Sequence, residues 1–200
     1  MKTSDCDIVI VGVGGQGVIL ISDVIGRAAT AAGMPVRGAE THGMAQRGGS
    51  VVNHTRLGCI FSPMVPPGGA DVLLALEPAE ALRHGHYLSK DGVALINTQS
   101  VMPVTVTTGK CSYPDLDDIL GPLRKVCKEA KPIEGTGIAK IAGNAQAMNV
   151  VMLGAISKYI PIDERVLLSA LAEVVPAKYL EVNKRAFELG KAEVESGPTL

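Results

Sequence analysis

Asp7 to Val11 is an unbroken apolar, β-branched run entered from a single aspartate, and it runs straight into Gly12, Gly14, Gly15 and Gly17 (DIVIVGVGGQG). A strand with apolar residues on both faces has no side to give to water. It belongs in the middle of a parallel sheet covered by helices on both faces. The glycines end the strand, and Gln16 to Ala32 then carries helical spacing through Val18, Ile21, Ile25 and Ala29, with Gly33 as the stop. Pro35–Gly38 restarts an extended segment. The opening is strand, tight turn, helix, strand.

The same pattern recurs downstream. Ser50–Leu57 alternates, with Val51, Asn53, Thr55 and Leu57 on one face and Val52, His54 and Arg56 on the other. Ser62–Gly69 is loop chemistry. Asp71–Leu76 is a buried strand, Glu77-Pro78 opens a helix, and Asp91-Gly92 reads as a turn before the strand Gly92–Asn97. Val104–Thr107 is β-branched and reads as an edge strand. Asp115–Lys128 is an amphipathic helix with Leu116, Ile119, Leu120, Leu123 and Val126 inward, and Lys131–Glu134 is a last short strand. Ile138–Ala142, Ala145–Tyr159, Glu164–Val174 and Lys178–Glu195 are helical. Strands alternating with helices predict a three-layer α/β/α fold, a Rossmann-like and mostly parallel sheet. Residues 1–200 read as one domain, with a helical C-terminal part from about residue 137 that either covers a sheet face or forms a docking surface.

Aromatics are only 3% of the chain and Trp is absent, so the core must come from Ala, Val, Ile, Leu and Met within the 46% hydrophobic fraction. A formal net charge of −1 argues against nucleic-acid binding, which rests on a basic surface. The one basic cluster, Arg124, Lys125 and Lys128, reads as a solvated helix face. No apolar run reaches about 18 residues, which argues against a membrane span, and MKTSDCD lacks a secretory hydrophobic region. Cys6, Cys59, Cys111 and Cys127 form no C-x-x-C pair, so free thiols in a reducing cytoplasm are expected. Their spacing also argues against an iron–sulfur cluster held by this chain alone.

Three stretches are candidates for function. In the first, Gly12-x-Gly14-x-x-Gly17 allows a tight turn, close backbone approach and a helix N-terminus that receives phosphate. It is compatible with a dinucleotide, with another phosphate ligand, or with a purely structural turn. Glu40 lies near the end of the second strand, where a dinucleotide site keeps an acid, and the Gln16 carboxamide beside the turn can donate to phosphate or to a neighbouring subunit. The second stretch places Glu40, Thr41, His42, Gln46, Arg47 and Ser50 among glycines in a long polar loop. Gln46 and Arg47 suit an anionic group, since guanidinium binds phosphate or carboxylate bidentately; alternatively Arg47 pairs with Glu40. The third is Gly143-Asn144 followed by AQAMNVVMLGA. Asn144 suits a helix cap, and Asn149 is polar inside an apolar helix, so it needs a partner such as a loop of the same chain. His84 and His86 lack a third metal ligand nearby. His54 is expected to be hydrogen-bonded within its strand environment.

Taken in order, GVGGQGV, ETHGMAQRGGSV and GNAQAMNVVMLGA resemble the gamma-domain family of 2-oxoacid:ferredoxin oxidoreductases over roughly residues 6–190. The middle motif is similar to the arylpyruvate branch, while the first is shared across the wider family. The resemblance implies a small subunit of a ferredoxin-dependent complex that oxidatively decarboxylates arylpyruvates such as indolepyruvate to aryl-acetyl-CoA. It implies a large partner subunit carrying thiamine diphosphate, Mg and iron–sulfur clusters, with coenzyme A as co-substrate, ferredoxin as acceptor and the cytoplasm as location. The sequence agrees by omission, having neither a G-D-G…N pattern nor clustered cysteines. This chain alone then binds no cofactor, carries no catalytic residue and is inactive when isolated. By the resemblance, Gly12, Gly14, Gly15, Gln16 and Gly17 are the candidates for the coenzyme's phosphates, and Gln46 and Arg47 reach the coenzyme or the partner's cofactor region. An apolar face left empty in isolation allows a homodimer. The rival reading is a stand-alone dinucleotide-binding oxidoreductase or redox-sensing module, and a third is a scaffold that only stabilises the large subunit.

Overall fold

The computed structural model describes residues 5–42, 48–59 and 61–195, with the side chain of His42 left aside. The strands are β1 (Cys6–Val13), β2 (Val36–His42), β3 (Ser50–Leu57), β4 (Ala70–Ala75), β5 (Leu88–Asn97) and β6 (Glu129–Ile133). The helices are α1 (Val18–Ala31), α2 (Pro78–His84), α3 (Val104–Thr107), α4 (Leu116–Val126), α5 (Gly135–Ala142), α6 (Met148–Ile156), α7 (Glu164–Val174) and α8 (Leu180–Glu195). One sheet runs in the order β2-β3-β1-β4-β5-β6. Strand β1 is parallel to β4, β4 to β5 and β5 to β6. Strand β3 alone runs against the rest, antiparallel to both β1 and β2. The sheet is therefore mostly parallel, as its apolar runs require, but the second strand of the opening unit does not lie beside the first.

Alternation along the strands divides the core in two. Ile8, Ile10, Val72, Leu74, Val93 and Leu95 face α1, α6, α7 and α8. Val9, Val11, Leu73, Ala75, Ala94 and Ile96 face α2 and α4. Burying each such Ile or Leu fully contributes about 2–3 kcal/mol. The C-terminal helices cover the first face. All nine residues of α6 are buried, and α8 crosses it so closely that a Cβ at Gly154 would overlap the Phe187 carbonyl and one at Gly190 the Val151 carbonyl.

Three local readings change. Val104–Thr107 is a helical turn, not an edge strand. The amides of Val106 and Thr107 both donate to the Pro103 carbonyl, and the Thr107 and Thr108 hydroxyls donate to the Val104 carbonyl. Strand β6 already holds the edge of β5, so hydroxyl-to-backbone bonding decides the conformation there. Asp91-Gly92 is not a turn but a bulge within β5, where the register jumps from Ala70↔Leu88 to Val72↔Val93. A Cβ at Gly92 would sit 2.7 Å from the Ala70 carbonyl oxygen. Leu116 and Val126, expected inward, lie exposed at the two ends of α4, whose buried residues are Ile119, Leu120 and Leu123.

Cross-strand pairing ties the sheet to its loops. Asp7 and Arg56 face each other in register and form a bidentate pair at 2.8 and 2.9 Å. Arg56 also donates to the Ser62 and Met64 carbonyls. This pins the Pro-rich loop that precedes β4.

Candidate functional site

In an α/β sheet, ligands collect at the carboxyl ends of the parallel strands. Here that rim is formed by the glycine turn after β1, by Leu76 and Glu77 after β4, by Thr98 onward after β5, and by Glu134 and Gly135 after β6. The turn needs its glycines for distinct reasons. Gly15 (φ +102°) is exposed with open space around it. Gly17 (φ +88°) is the residue that starts α1, and a Cβ there would collide with the Asn149 carboxamide. A Cβ at Gly12 would be 2.9 Å from Gln16 Oε1 and 3.1 Å from Leu76 Cβ. The first-turn amides of α1 have no intrahelical acceptor and point out at the rim.

Gln16 turns inward. Its Oε1 accepts from the Val13 amide at 2.7 Å, and its Nε2 donates to the Leu76 carbonyl at 3.0 Å. Both ends of the carboxamide hold backbone, so the side chain braces the turn. The Leu76 carbonyl also accepts from Asn97 Nδ2 at 3.0 Å. Asn97 is fully buried, and its Oδ1 has no partner among the described residues.

The other two stretches reach the same rim. The Gly14 amide donates to the Gly49 carbonyl at 2.8 Å, and Val13 pairs with Ser50, so the end of the second stretch lies against the first. The intervening loop is shorter than expected, because Glu40 and Thr41 belong to β2. Gln46 and Arg47 lie outside the described residues. Asn149, from the third stretch, packs its carboxamide against Gly17, while its Oδ1 accepts from the Val150 amide of its own helix at 3.0 Å, not from a loop. Asn144 caps the turn before α6 by accepting from the Gln146 amide.

Glu40 stands level with Asn53 on β3 and, through it, with Ile10 on β1. Asn53 donates to it at 3.3 Å. Two strand spacings, about 10 Å, separate Glu40 from the glycine strand. The adjacent-strand acid of a dinucleotide site is therefore not where a ribose would need it.

Behind the rim, buried carboxylates organise α2. Glu77 caps the helix by accepting from the Glu80 amide at 3.0 Å, and it also accepts from the Val101 amide and the Tyr113 hydroxyl. Burial and that bond to Glu77 hold the Tyr113 hydroxyl protonated well above its usual range. Glu80, buried at 4% exposure, accepts from Ser50 Oγ and pairs with Arg83 and with His84 Nε2. Burial raises the Glu80 pKa most strongly as a single cause, but the bonds from His84 and Ser50 and the charge of Arg83 outweigh it, leaving it lowered. Ser50 Oγ donates to the carboxylate and lies 3.2 Å from His84 Nε2, so the three side chains form one anchor that ties β3 to α2. His54 accepts from the Val65 amide at 3.3 Å and meets Tyr87 edge-on. Burial, then the nearby His84, lowers its pKa from 6.5.

Among the described residues no group of His, Cys, Asp and Glu is placed to hold a metal ion. Cys6 and Cys127 are buried, Cys59 is partly buried and Cys111 exposed. Burial, with Asp71 and Asp7 adding, pushes the Cys6 thiol up to about 12. No helix among the described residues is long and apolar enough to cross a membrane. What the rim offers is main-chain amides at the start of α1, which suits phosphate recognition better than proton transfer, while the carboxamides there are turned inward.

Residues 7–193 match the family model described as pyruvate ferredoxin/flavodoxin oxidoreductase. The chain belongs to that family. It is 45% identical over 193 residues to indolepyruvate oxidoreductase subunit IorB of Archaeoglobus fulgidus, covering 96% of both chains. It is 41% identical to the subunit of the same name from Thermococcus kodakarensis, covering 92% of this chain and 93% of that one. Among solved structures it is similar in fold to a keto/oxoacid ferredoxin oxidoreductase gamma subunit from Geobacter sulfurreducens (TM-score 0.71, 22% identity, 96% of this chain and 99% of that one). It is also similar to a 2-oxoglutarate:ferredoxin oxidoreductase from Magnetococcus marinus with 2-oxoglutarate, coenzyme A and succinyl-CoA bound (TM-score 0.78, 21% identity, all of this chain and 32% of that one). Within this oxidoreductase family member, motif reading found the glycine turn and Asn149 but missed Asn97 and the Leu76 carbonyl. The only signal for Asn97 was a lone polar residue ending the apolar run VALIN. A main-chain oxygen leaves no signal at all.

Proposed function

We infer that this chain is the small subunit of a ferredoxin-dependent indolepyruvate oxidoreductase, acting only in complex with a large subunit. The overall reaction takes an arylpyruvate, coenzyme A and oxidised ferredoxin to aryl-acetyl-CoA, carbon dioxide and reduced ferredoxin. Identity of 37–45% to subunits named IorB, over 92–96% of this chain, carries the assignment. When bound in the partner, thiamine diphosphate with Mg supplies the decarboxylation chemistry and iron–sulfur clusters pass the electrons on. This chain's part is geometric.

In this reading the Gly14–Gly17 turn, exposed at Gly15, and the first amides of α1 face the phosphates of coenzyme A, and Gly12 and Gln16 hold the turn in shape. Gln46 and Arg47 complete the contact with the coenzyme or with the partner's cofactor region. Exposed apolar side chains beside the rim, Ile19 on α1 and Val101, Met102 and Val104 after β5, support a protein partner docking there.

The test is reconstitution with the large subunit, followed by indolepyruvate-dependent reduction of ferredoxin and calorimetric titration of coenzyme A. Gly15→Asp places a carboxylate where phosphate would lie, and coenzyme A affinity is expected to fall at least tenfold. Unchanged affinity would end the coenzyme reading. Turnover by the chain alone, or tight NAD or FAD binding to a coloured isolated chain, would favour the stand-alone oxidoreductase instead.

A further inference from the structure

We propose that Asn97 is a positioning residue for the glycine turn, acting through the Leu76 carbonyl and Gln16. This rests on the reading that the turn meets coenzyme A. The ladder between β4 and its neighbours ends at Ala75, paired with Val11 on one side and Ile96 on the other. The Leu76 carbonyl lies just past it, and two side-chain amides converge on that oxygen, each at 3.0 Å. Gln16 comes from inside the turn, whose span from Val13 is closed twice. The Gln16 amide donates to the Val13 carbonyl at 3.0 Å, and the Gln16 carboxamide accepts from the Val13 amide at 2.7 Å. Asn97 comes from the end of β5. The result is a chain of contacts across three strand ends, from Val13 through Gln16 and Leu76 to Asn97.

The pattern of β5 makes Asn97 costly. It closes an apolar run, is fully buried, and has an Oδ1 with no partner among the described residues, facing Gly135. An apolar residue there would avoid the desolvation of a carboxamide. What Asn97 supplies instead is a second donor that fixes the Leu76 oxygen, so that Gln16 has one position to reach. Small displacements of binding groups cost binding steeply, and the Gly15 and Gly17 amides flank Gln16 directly.

The experiment uses the assembled two-subunit complex with coenzyme A and indolepyruvate varied in turn. Asn97→Asp keeps the shape, removes the donor and sets a second acceptor against Leu76. Gln16→Glu does the same from the partly exposed end and keeps the readout if the buried variant fails to assemble. Each is expected to raise KM for coenzyme A about tenfold while KM for indolepyruvate moves less than about twofold. The double variant is expected to be no worse than the poorer single, because both act on one oxygen. Unchanged KM for coenzyme A in assembled variants, even with a lowered Tm, would make the network merely structural and overturn the proposal. Additive effects in the double variant would break the link through Leu76. If Gly15→Asp also leaves coenzyme A unaffected, the turn is not the coenzyme site and the parent reading falls. If Gly15→Asp weakens coenzyme A and the other two do not, only the role of Asn97 falls.

Discussion

The two helix layers of this sheet are held by different physics. On one face α6 and α8 cross with no side chain between them at Gly154 and Gly190, over a floor of Ile, Leu and Val. On the other, α2 and α4 pack over a smaller apolar cluster and lean on buried carboxylates, with Glu77 and Glu80 drawing donors from Val101, Tyr113, Ser50 and Arg83. The first layer is rigid because main chain meets main chain. The second is held by charge and by hydrogen bonds, and its terms respond to pH. The glycine turn sits where both meet, braced by Asn149 from the apolar layer and by the Leu76 junction that leads into α2.

The contrast can be broken first at the glycines. Gly190→Ala must force two helix backbones apart and is expected to destabilise by about 3 kcal/mol or more. Gly85→Ala, on the opposite layer, meets only the end of the Leu123 side chain at an ordinary αR conformation, and should cost less than about 1.5 kcal/mol. Urea unfolding of the two variants measures the gap, and equal losses would show that the layers are alike. Next in size, Glu80→Gln should cost about 1–2 kcal/mol by weakening the bonds from Ser50 and His84.

A pH profile sharpens the comparison further. The folded pKa of His54 is depressed, so the unfolded chain takes up the proton first. Its stabilising contribution is whole above the ordinary value of 6.5 and is lost as pH falls from there through the depressed folded value. Glu80, also depressed, loses its contribution at lower pH, as pH falls below its ordinary 4.5. Stability against chemical unfolding should therefore fall as pH drops from about 7 to 5, and His54→Asn should flatten the profile over that interval. A profile just as steep in that variant would place the sensitivity elsewhere. The smallest effect concerns the thiols. Cys6 lies in the core on the α6 and α8 side of the sheet, its thiol toward the Tyr159 carbonyl, and Cys127 ends α4 on the other side. Native-state alkylation, referenced to the unfolded chain, should reach Cys111 at once and Cys127 well before Cys6.

Much of this was legible in the chain, for reasons that differ by region. The runs IVIV, DVLLAL and GVALIN read as buried strands because they are short and flanked by turn residues, and α7 and α8 follow their apolar spacing, whereas α6 is apolar all round. What the pattern could not carry was partnership. The alternation of Ser50–Leu57 is equally good antiparallel or parallel, so nothing in it told that β3 inserts between β1 and β2. Val104–Thr107 has strand-forming residues, but the edge of β5, the strand it follows, is already taken by β6. At the site, the glycines were visible because only they tolerate the φ values of Gly15 and Gly17. The inward turn of Gln16 was not, because a carboxamide has the same formula whether it grips a ligand or its own main chain.

Two carboxamides grip one main-chain oxygen after β4, and this decides where the record of that junction is kept. Residue 76 can be rewritten freely as far as its carbonyl is concerned, since every amino acid brings the same atom. Any inherited trace of the clasp must then appear as joint variation of positions 16 and 97, about eighty residues apart in the chain, with silence at the point they share.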